Sequence, residues 1–247
     1  MRFVISADGC EDLVLRTSVP GNRLGYWIVK DGIKGWFGTP DVREDAVERS
    51  MSDGDLYPAR ITQGARILTL DIAACCESAL EAAKTVDDVN AFVGRRLTVS
   101  CEEANGQRIV YGFLAEDPSP EYKPDGKAVL MSLIIKCPDP YKYSNWVEYM
   151  QSGGKIYPVN GGNAPSYPKV HVEKAGEGNV TYMTLTYKGR QVSWTGSASS
   201  FDLDFADMVP TAGTVSVDNA FAIDPGSQEV TVSCNGIVTM YLRSAWR

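Results

Sequence analysis

A turn-rich segment divides this chain into two stretches of different composition. Eleven of the 18 residues from 151 to 168 (QSGGKIYPVNGGNAPSYP) are Gly, Pro, Asn or Ser, which favour turns and extended chain over packed elements. Residues 1–150 hold 40 charged side chains, whereas residues 151–247 hold 15. We therefore predict a first domain over 1–150, a linker over 151–168 and a second domain over 169–247.

The first stretch is predicted to contain strands and one helix. From Glu77 to Val93 apolar residues recur every three to four positions, which indicates a helix with one buried face. Ser78 with Glu81 resembles a capping box, and Gly94 fits the left-handed position past the helix end. Strands are expected at 13–15, 26–29, 67–72, 97–101, 109–114 and 129–136, with a charged, loop-like segment from 32 to 58.

The second stretch is predicted to be entirely β. Apolar and polar residues alternate in several short runs, with turn sequences such as Asn235-Gly236 between them. Short strands separated by turns are typical of a β-sandwich. The predicted strands are 180–187, 201–205, 215–217, 230–232 and 237–242.

Charge and cysteine content exclude several classes of protein. The net charge is −7, from 24 basic and 31 acidic residues, which disfavours specific nucleic-acid binding. No apolar run is long enough to span a membrane, and the N-terminus lacks a signal-peptide core, so synthesis in the cytoplasm is expected. The six cysteines have no C-x-x-C spacing and accompany one histidine, so we expect no metal, no cofactor and buried, reduced thiols.

Catalytic motifs are missing from the sequence, so we predict no enzyme and no catalytic residue. The single histidine, His171, alternates with Val170 and Val172, which is typical of a strand residue facing solvent or a neighbour. Three carboxylates, at 202, 204 and 207, lack the Gly and Glu positions of an EF-hand loop. The pairs Asp87-Asp88 and Glu102-Glu103 are sequence neighbours, a spacing that does not indicate the facing carboxylates of a glycosidase.

Four aromatic residues precede the linker. Such a cluster can bind a sugar or a partner chain, and packing where two domains meet is the interpretation we favour. The residues are Tyr141, Tyr143, Trp146 and Tyr149.

The order of segments resembles the distal tail protein (Dit) family of phages with long, non-contractile tails. The resemblance covers nearly the whole chain and is carried by the sequence of its segments more than by any one motif. These are GTPDVR at 38–43, DGDLY at 53–57, GARILTL at 64–70, the helix, GRRLTV at 94–99, LIIKCPDPYKY at 133–143, NGGN at 160–163 and AWR at 245–247.

The resemblance implies a structural protein of the virion. Its first domain would be a ring-forming belt, a β-sandwich with one helix, and its second a galectin-like β-sandwich. Six copies would form a ring at the distal end of the tail. That ring would join the tube protein to the tail-tip hub protein, contact the tape measure protein and leave a channel for DNA.

Two alternatives remain open at this stage. One is a carbohydrate-binding or receptor-binding adhesin that uses the aromatic residues of the second domain. The other is a hydrolase of the tail tip, against which the missing catalytic motifs argue. A galectin-like fold does not by itself imply lectin activity, because one fold serves many functions.

Overall fold

The structure is a computed structural model that describes residues 1–17, 24–44, 47–49, 52–53, 55–58, 61–216 and 220–247. Gly54 and Val217, which belong to two segments singled out in the sequence, lie outside these residues. The chain divides into a first unit, Met1–Lys142 with Arg247, and a second unit, Tyr143–Trp246. The division falls within a two-residue strand, β13 (Lys142–Tyr143).

The first unit is built from strands with a single helix. Its strands are β1 (Arg2–Ser6), β2 (Leu13–Arg16), β3 (Gly25–Lys34), β4 (Val42–Arg43), β5 (Val47–Glu48), β6 (Asp55–Leu56), β7 (Thr62–Gln63), β8 (Arg66–Cys75), β9 (Leu97–Glu103), β10 (Gly106–Leu114), β11 (Glu121–Tyr122) and β12 (Ala128–Cys137), and its helix is α1 (Ala79–Asn90).

The main sheet of the first unit closes on itself. Seven of its strands follow the order β12, β8, β3, β2, β1, β9 and β10, and β10 pairs again with β12 through Phe113 and Leu114. The short strand β11 pairs with β12 as well. All of these pairings are antiparallel except that of β2 with β3. The closed sheet encloses one hydrophobic core.

Strict alternation explains why these strands bury one face. In β8 the buried positions include Leu68, Leu70 and Ile72, while the residues between them are more exposed. Because successive side chains of a strand point to opposite faces, every second residue enters the core. Strands β9 and β12 follow the same rule, so the inside of the closed sheet is filled by apolar side chains.

The helix confirms the predicted cap. Ser78 is the N-cap, and its Oγ accepts a hydrogen bond from the Glu81 N–H at 3.2 Å. The Glu81 carboxylate reaches back to the N–H of Glu77 at 2.7 Å. Gly94 adopts a positive φ of 76°, three residues after the C-cap Ala91. The helix is therefore shorter than predicted, because residues 91–94 form turns instead.

The second unit contains strands and, in its described residues, no helix. The mainly-β architecture with one helix that the sequence predicts is therefore confirmed. The strands are β14 (Val147–Met150), β15 (Lys155–Ile156), β16 (Val159–Asn160), β17 (Lys169–Lys174), β18 (Val180–Tyr187), β19 (Arg190–Ala198), β20 (Ser200–Asp204), β21 (Val209–Pro210), β22 (Thr214–Val215), β23 (Gly226–Ser227), β24 (Val230–Cys234), β25 (Gly236–Leu242) and β26 (Ala245–Trp246).

Two five-stranded sheets form the second unit. One has the order β14, β25, β17, β20, β21, and the other the order β15, β24, β18, β19, β22. Their inner faces supply a second hydrophobic core. At its centre the rings of Trp194 and Phe201 stack with centroids 3.9 Å apart, and the Trp194 Nε1–H donates to the Ala212 carbonyl at 2.6 Å.

The turn-rich segment from 151 to 168 contributes paired strands to the second unit. Strand β15 pairs with β24, and β16 pairs with β23. Asn160 is buried, and its amide nitrogen donates to the carbonyl oxygens of Ala164 and Ile223 at 2.8 and 3.0 Å. The structural division thus falls before this segment. Independent folding of the two units stays a prediction.

Candidate functional site

Short paired strands lie between β3 and β8 of the first unit. We call the described residues of this segment, 38–44, 47–49, 52–53, 55–58 and 61–64, the arm. Val42 pairs with Gln63 and, further out, Val47 pairs with Leu56. Near the root the Gly64 N–H donates to the Asp41 carbonyl at 2.8 Å. In its described residues, the segment from 32 to 58 that is predicted to be loop-like therefore contains the end of β3 and short paired strands.

The arm presents apolar side chains to its surroundings. Tyr57 is 87% exposed, and Leu56, Val42 and Ile61 are each at least half exposed. None of the four belongs to the hydrophobic core of the unit. Exposed apolar residues that cluster on one element mark an interaction surface more often than isolated ones do.

A buried arginine fastens the root of the arm to the sheet. Arg66, only 1% exposed, donates through Nη1 to the carbonyls of Gly35 and Gly38 at 2.6 and 2.8 Å. Its Nε donates to the Pro140 carbonyl at 2.9 Å. One guanidinium therefore hydrogen-bonds both to the chain entering the arm and to the segment after β12. Because the guanidinium is planar and rigid, these hydrogen bonds fix the two segments relative to each other.

Further charges surround this anchor. The Lys142 Nζ donates to the Trp36 carbonyl at 3.0 Å, and the Trp36 Nε1–H donates to the Glu103 carboxylate at 2.7 Å. Burial lowers the pKa of Arg66, of Lys142 and of nearby Arg108, because desolvation disfavours the charged form. The Glu103 carboxylate opposes that shift at Lys142 and Arg108.

An open groove of about 830 Å³ lies beside the root of the arm. Residues 29–32 form a bulge in β3, since Ile28 pairs with Ile72 while Ile33 pairs with Leu70. The bulge turns at Asp31, which has a positive φ of 59°. The groove is lined by Thr17, Trp27, Ile28, Val29, Lys30, Asp31, Gly32, Ile33, Phe37, Ala73 and Cys75.

The residues considered for catalysis in the sequence have local partners. His171 lies in β17, and its Nδ1 is 2.8 Å from the Asp202 carboxylate on β20. Asp204 pairs with Lys169 at 3.0 Å. The Asp207 carboxylate accepts from the Val209 N–H at 3.0 Å. In the described part of the chain, no group of three or more His, Cys, Asp or Glu residues is placed to hold a metal ion.

The paired carboxylates do not face each other. Glu102 pairs with Arg2 at 3.4 Å, whereas Glu103 accepts from Trp36. Neighbouring strand residues point to opposite faces, so these two carboxylates cannot flank one sugar. Asp87 and Asp88 both lie exposed on α1.

The aromatic cluster before the turn-rich segment is tied to cations of the second unit. The Arg243 guanidinium lies 3.5 Å from the centroid of the Tyr143 ring and 4.8 Å from that of Trp146. The Lys169 ammonium lies 5.3 Å from the Trp146 centroid, and the Tyr149 hydroxyl donates to the Val159 carbonyl. Packing of this cluster at a domain junction stays a prediction.

All six cysteines are free thiols in the structure. Burial raises the pKa of the Cys101 thiol to about 12 and that of Cys137 to about 11. Cys76 is also buried, but Cys10, Cys75 and Cys234 are half-buried. The prediction of buried thiols is therefore wrong for these three positions.

Sequence patterns did not indicate either the arm or the groove as a site. The only signals were apolar residues within a Gly- and charge-rich segment, such as Leu56-Tyr57. Arg66 stands at the start of a strand and carries no motif. Its role depends on carbonyls that are distant in sequence.

Comparisons with known proteins identify the fold. No family model matches the chain, and no curated protein does. A crystal structure of the Dit protein of phage SPP1, described as a hub of the adsorption apparatus in phages that infect Gram-positive bacteria, matches 99% of both chains at 14% identity with a TM-score of 0.70. A chain of the phage P2 baseplate in its activated conformation matches 98% of this chain and 97% of its own length, at 11% identity with a TM-score of 0.55. The fold is thus similar to that of the SPP1 Dit protein over both units. Among the described residues, no helix is long and apolar enough to cross a membrane.

Proposed function

We propose that this chain is a structural protein of a phage virion and forms a ring at the distal end of the tail. Six copies would join the tail tube to the tail-tip hub protein, border the tape measure protein and leave a channel for DNA. One observation carries the proposal. The likeness to the SPP1 hub protein extends over 99% of both chains and so includes both units.

The surface of the first unit supports an assembling role. An arm with exposed apolar side chains and an apolar groove occur on the same unit. An isolated soluble domain seldom keeps such surfaces uncovered, and contact with other chains would bury them.

Charge supports a channel that lets DNA pass. Residues 1–150 carry a net charge of −6, from 17 basic and 23 acidic side chains. Holding DNA requires many phosphates to be neutralised by Lys and Arg. A ring of this composition would not retain the DNA that moves through it.

The size of the purified protein tests the proposal. Light scattering coupled to size-exclusion chromatography should give a particle near six times 26.9 kDa, and electron microscopy should show rings with a central opening. Duplex DNA should bind no better than background at ~0.15 M salt. A chain that stays monomeric at every concentration and with tail components present would contradict the ring. Tight, salt-sensitive DNA binding would contradict the channel.

A further inference from the structure

Three asparagines of this chain are each followed by glycine, at Asn105-Gly106, Asn160-Gly161 and Asn235-Gly236. Such a pair is chemically labile, because glycine has no side chain to keep its own backbone nitrogen away from the asparagine amide. We propose that the fold protects two of these pairs and leaves Asn105 as a site of spontaneous deamidation. Deamidation at Asn105 does not depend on the ring proposed above.

The reaction consumes one water molecule and needs no enzyme. The backbone nitrogen of Gly106 attacks Cγ of the Asn105 side chain, the bond from Cγ to Nδ2 breaks, and ammonia leaves with the proton of the Gly106 N–H. Water then opens the five-membered succinimide ring at either carbonyl carbon, which gives aspartate or isoaspartate. One amide is thus replaced by one carboxylate, with no oxidation or reduction.

The position of the asparagine side chain controls this reaction. Cγ must rotate until it lies against the nitrogen of the following glycine. Hydrogen bonds that hold the side-chain amide elsewhere must break first, and in a buried site their groups cannot turn to water instead. The three pairs can therefore be ranked by how firmly the fold holds each asparagine.

The fold holds Asn160 most firmly. Its side chain is fully buried. Its Nδ2 donates to two carbonyl oxygens, and its Oδ1 accepts hydrogen bonds from two backbone N–H groups. The attacking group is engaged as well, because the N–H of Gly161 donates to the Ser244 Oγ at 2.8 Å. We therefore expect Asn160 to be stable in the folded chain.

Asn235 is exposed, but hydrogen bonds hold its side chain. The Oδ1 accepts a hydrogen bond from the Thr181 N–H at 3.0 Å, and the Nδ2 donates to the Asn179 carbonyl at 3.1 Å. The following Gly236 is buried, and its N–H lies 3.2 Å from the Cys234 Sγ, which accepts it. This pair is thus protected without being buried as a whole.

Asn105 lacks this protection. It lies in the turn between β9 and β10, where Glu103 pairs with Gly106, and residues 104–107 are all exposed. In the described part of the chain its side chain makes no hydrogen bond. A Cβ at Gly106 would meet only the Arg108 Nη1, at 3.6 Å, so the space beside the attacking nitrogen is open. Both the side chain and water can reach it.

Deamidation would change the charge of the first domain with time. Residues 1–150 carry a net charge of −6, and one new carboxylate makes it −7. The new charge would join Glu102 and Glu103 at the end of the β9–β10 hairpin. In the isoaspartate form the main chain also gains one methylene group, so the turn itself would be altered.

Mass spectrometry of the aged protein tests the site. The full-length chain is kept folded in warm, mildly alkaline buffer, sampled over days and digested. Tandem spectra should show the small mass increase of amide-to-acid conversion at Asn105, at a rate at least tenfold above those of Asn160 and Asn235. Isoaspartate is identified by methyl transfer from labelled S-adenosylmethionine, with an isoaspartate methyltransferase as the probe. Equal rates at Asn105 and either other site would overturn the proposal.

The unfolded chain is the control for the role of the fold. In guanidinium chloride the hydrogen bonds that hold Asn160 and Asn235 are absent, so all three pairs should deamidate at similar rates. If the advantage of Asn105 persists in the unfolded chain, neighbouring sequence causes it and the proposed protection by the fold is wrong.

A second measurement uses charge. Native isoelectric focusing of the aged wild type should show a more acidic form that accumulates with time. Asn105→Gln should lack this form, because its longer side chain would have to close a six-membered ring. Asn90→Gln, at an exposed position of α1 followed by alanine, is the matched control and should age like the wild type. Equal accumulation of the acidic form in Asn105→Gln would contradict the assignment.

Discussion

Arg66 donates a 2.6 Å hydrogen bond to the carbonyl oxygen of Gly35, at the point where the chain leaves the closed sheet to enter the arm. Gly35 itself has a positive φ of 76°, and a Cβ there would lie 1.8 Å from the Ile67 carbonyl oxygen. A glycine whose replacement would force the backbone to move and a buried cation thus fix the same point of the chain.

Gly35→Ala should destabilise the first unit by roughly 2–4 kcal/mol, because it adds left-handed strain to a clash with backbone atoms. A urea titration of the variant measures the free energy of unfolding. Gly38→Ala is the matched control, since a Cβ at Gly38 meets open space, and its effect should stay within about 0.5 kcal/mol. Equal stability of the two variants would show that the turn at Gly35 tolerates a side chain.

Arg66→Met should cost roughly 2–3 kcal/mol, because several buried carbonyls lose a charged donor. It should also speed proteolytic cleavage within 38–64, since the root of the arm loses its anchor. Arg96→Met, at an exposed position, is the control. Unchanged cleavage of the arm in Arg66→Met would contradict the anchoring role.

Asp71 should make stability depend on pH. A hydrogen bond from Ser132 at 2.6 Å, together with Lys34, lowers the pKa of the Asp71 carboxyl. The stabilisation is present above the unfolded pKa, about 3.9, and is lost as the pH falls through the lower folded value. The difference in unfolding free energy between wild type and Asp71→Asn should therefore be constant near pH 7 and shrink below about pH 4. A difference that does not change with pH would mean that the carboxylate charge is unimportant.

Thiol reactivity should follow burial. Fully unfolded protein should titrate six thiols. In native protein at pH 8, Cys101 and Cys137 should react last, because burial raises the pKa of each thiol and keeps it protonated. Mass spectrometry after timed alkylation identifies each site. Early labelling of these two positions would contradict the closed core.

The two units should fold independently, because each has its own hydrophobic core. A fragment spanning 143–246 should unfold in a single cooperative thermal transition. A matched fragment from 169 to 247, which begins where the sequence predicts the second domain, should be less stable, since it lacks β14, β15 and β16. Equal stability of the two fragments would favour the boundary predicted from composition.

Regular elements with an alternating or helical pattern were predictable from the sequence. The strand from Val180 to Tyr187 has the predicted bounds, and the cap at Ser78 has the predicted partner. The cap depends on hydrogen bonds between residues close in sequence, and the strand depends on alternating side chains, one face of which is buried in the core. Both patterns can be recognised from a few neighbouring residues.

The arm and the turn-rich segment were not predictable in the same way. Their strands are two residues long, so no alternation can develop, and their pairing depends on partners far along the chain, such as Ile156 with Val230. The anchor at Arg66 likewise needs carbonyls from 35 and 140, which only the folded chain brings together.

Closure of the main sheet has a consequence for how copies can associate. In the described part of the first unit, each strand of the circuit from β12 round to β10 has a neighbour on both sides. Along β8 and β9, which are paired on both sides over most of their length, a second chain finds no row of unpaired N–H and C=O groups to extend. The joins of β2 with β3 and of β10 with β12 are only two residue pairs long, so this protection ends there. An interface formed over β8 and β9 must therefore depend on side-chain shape and charge, which discriminate between partners, whereas an open strand edge pairs with almost any extended peptide.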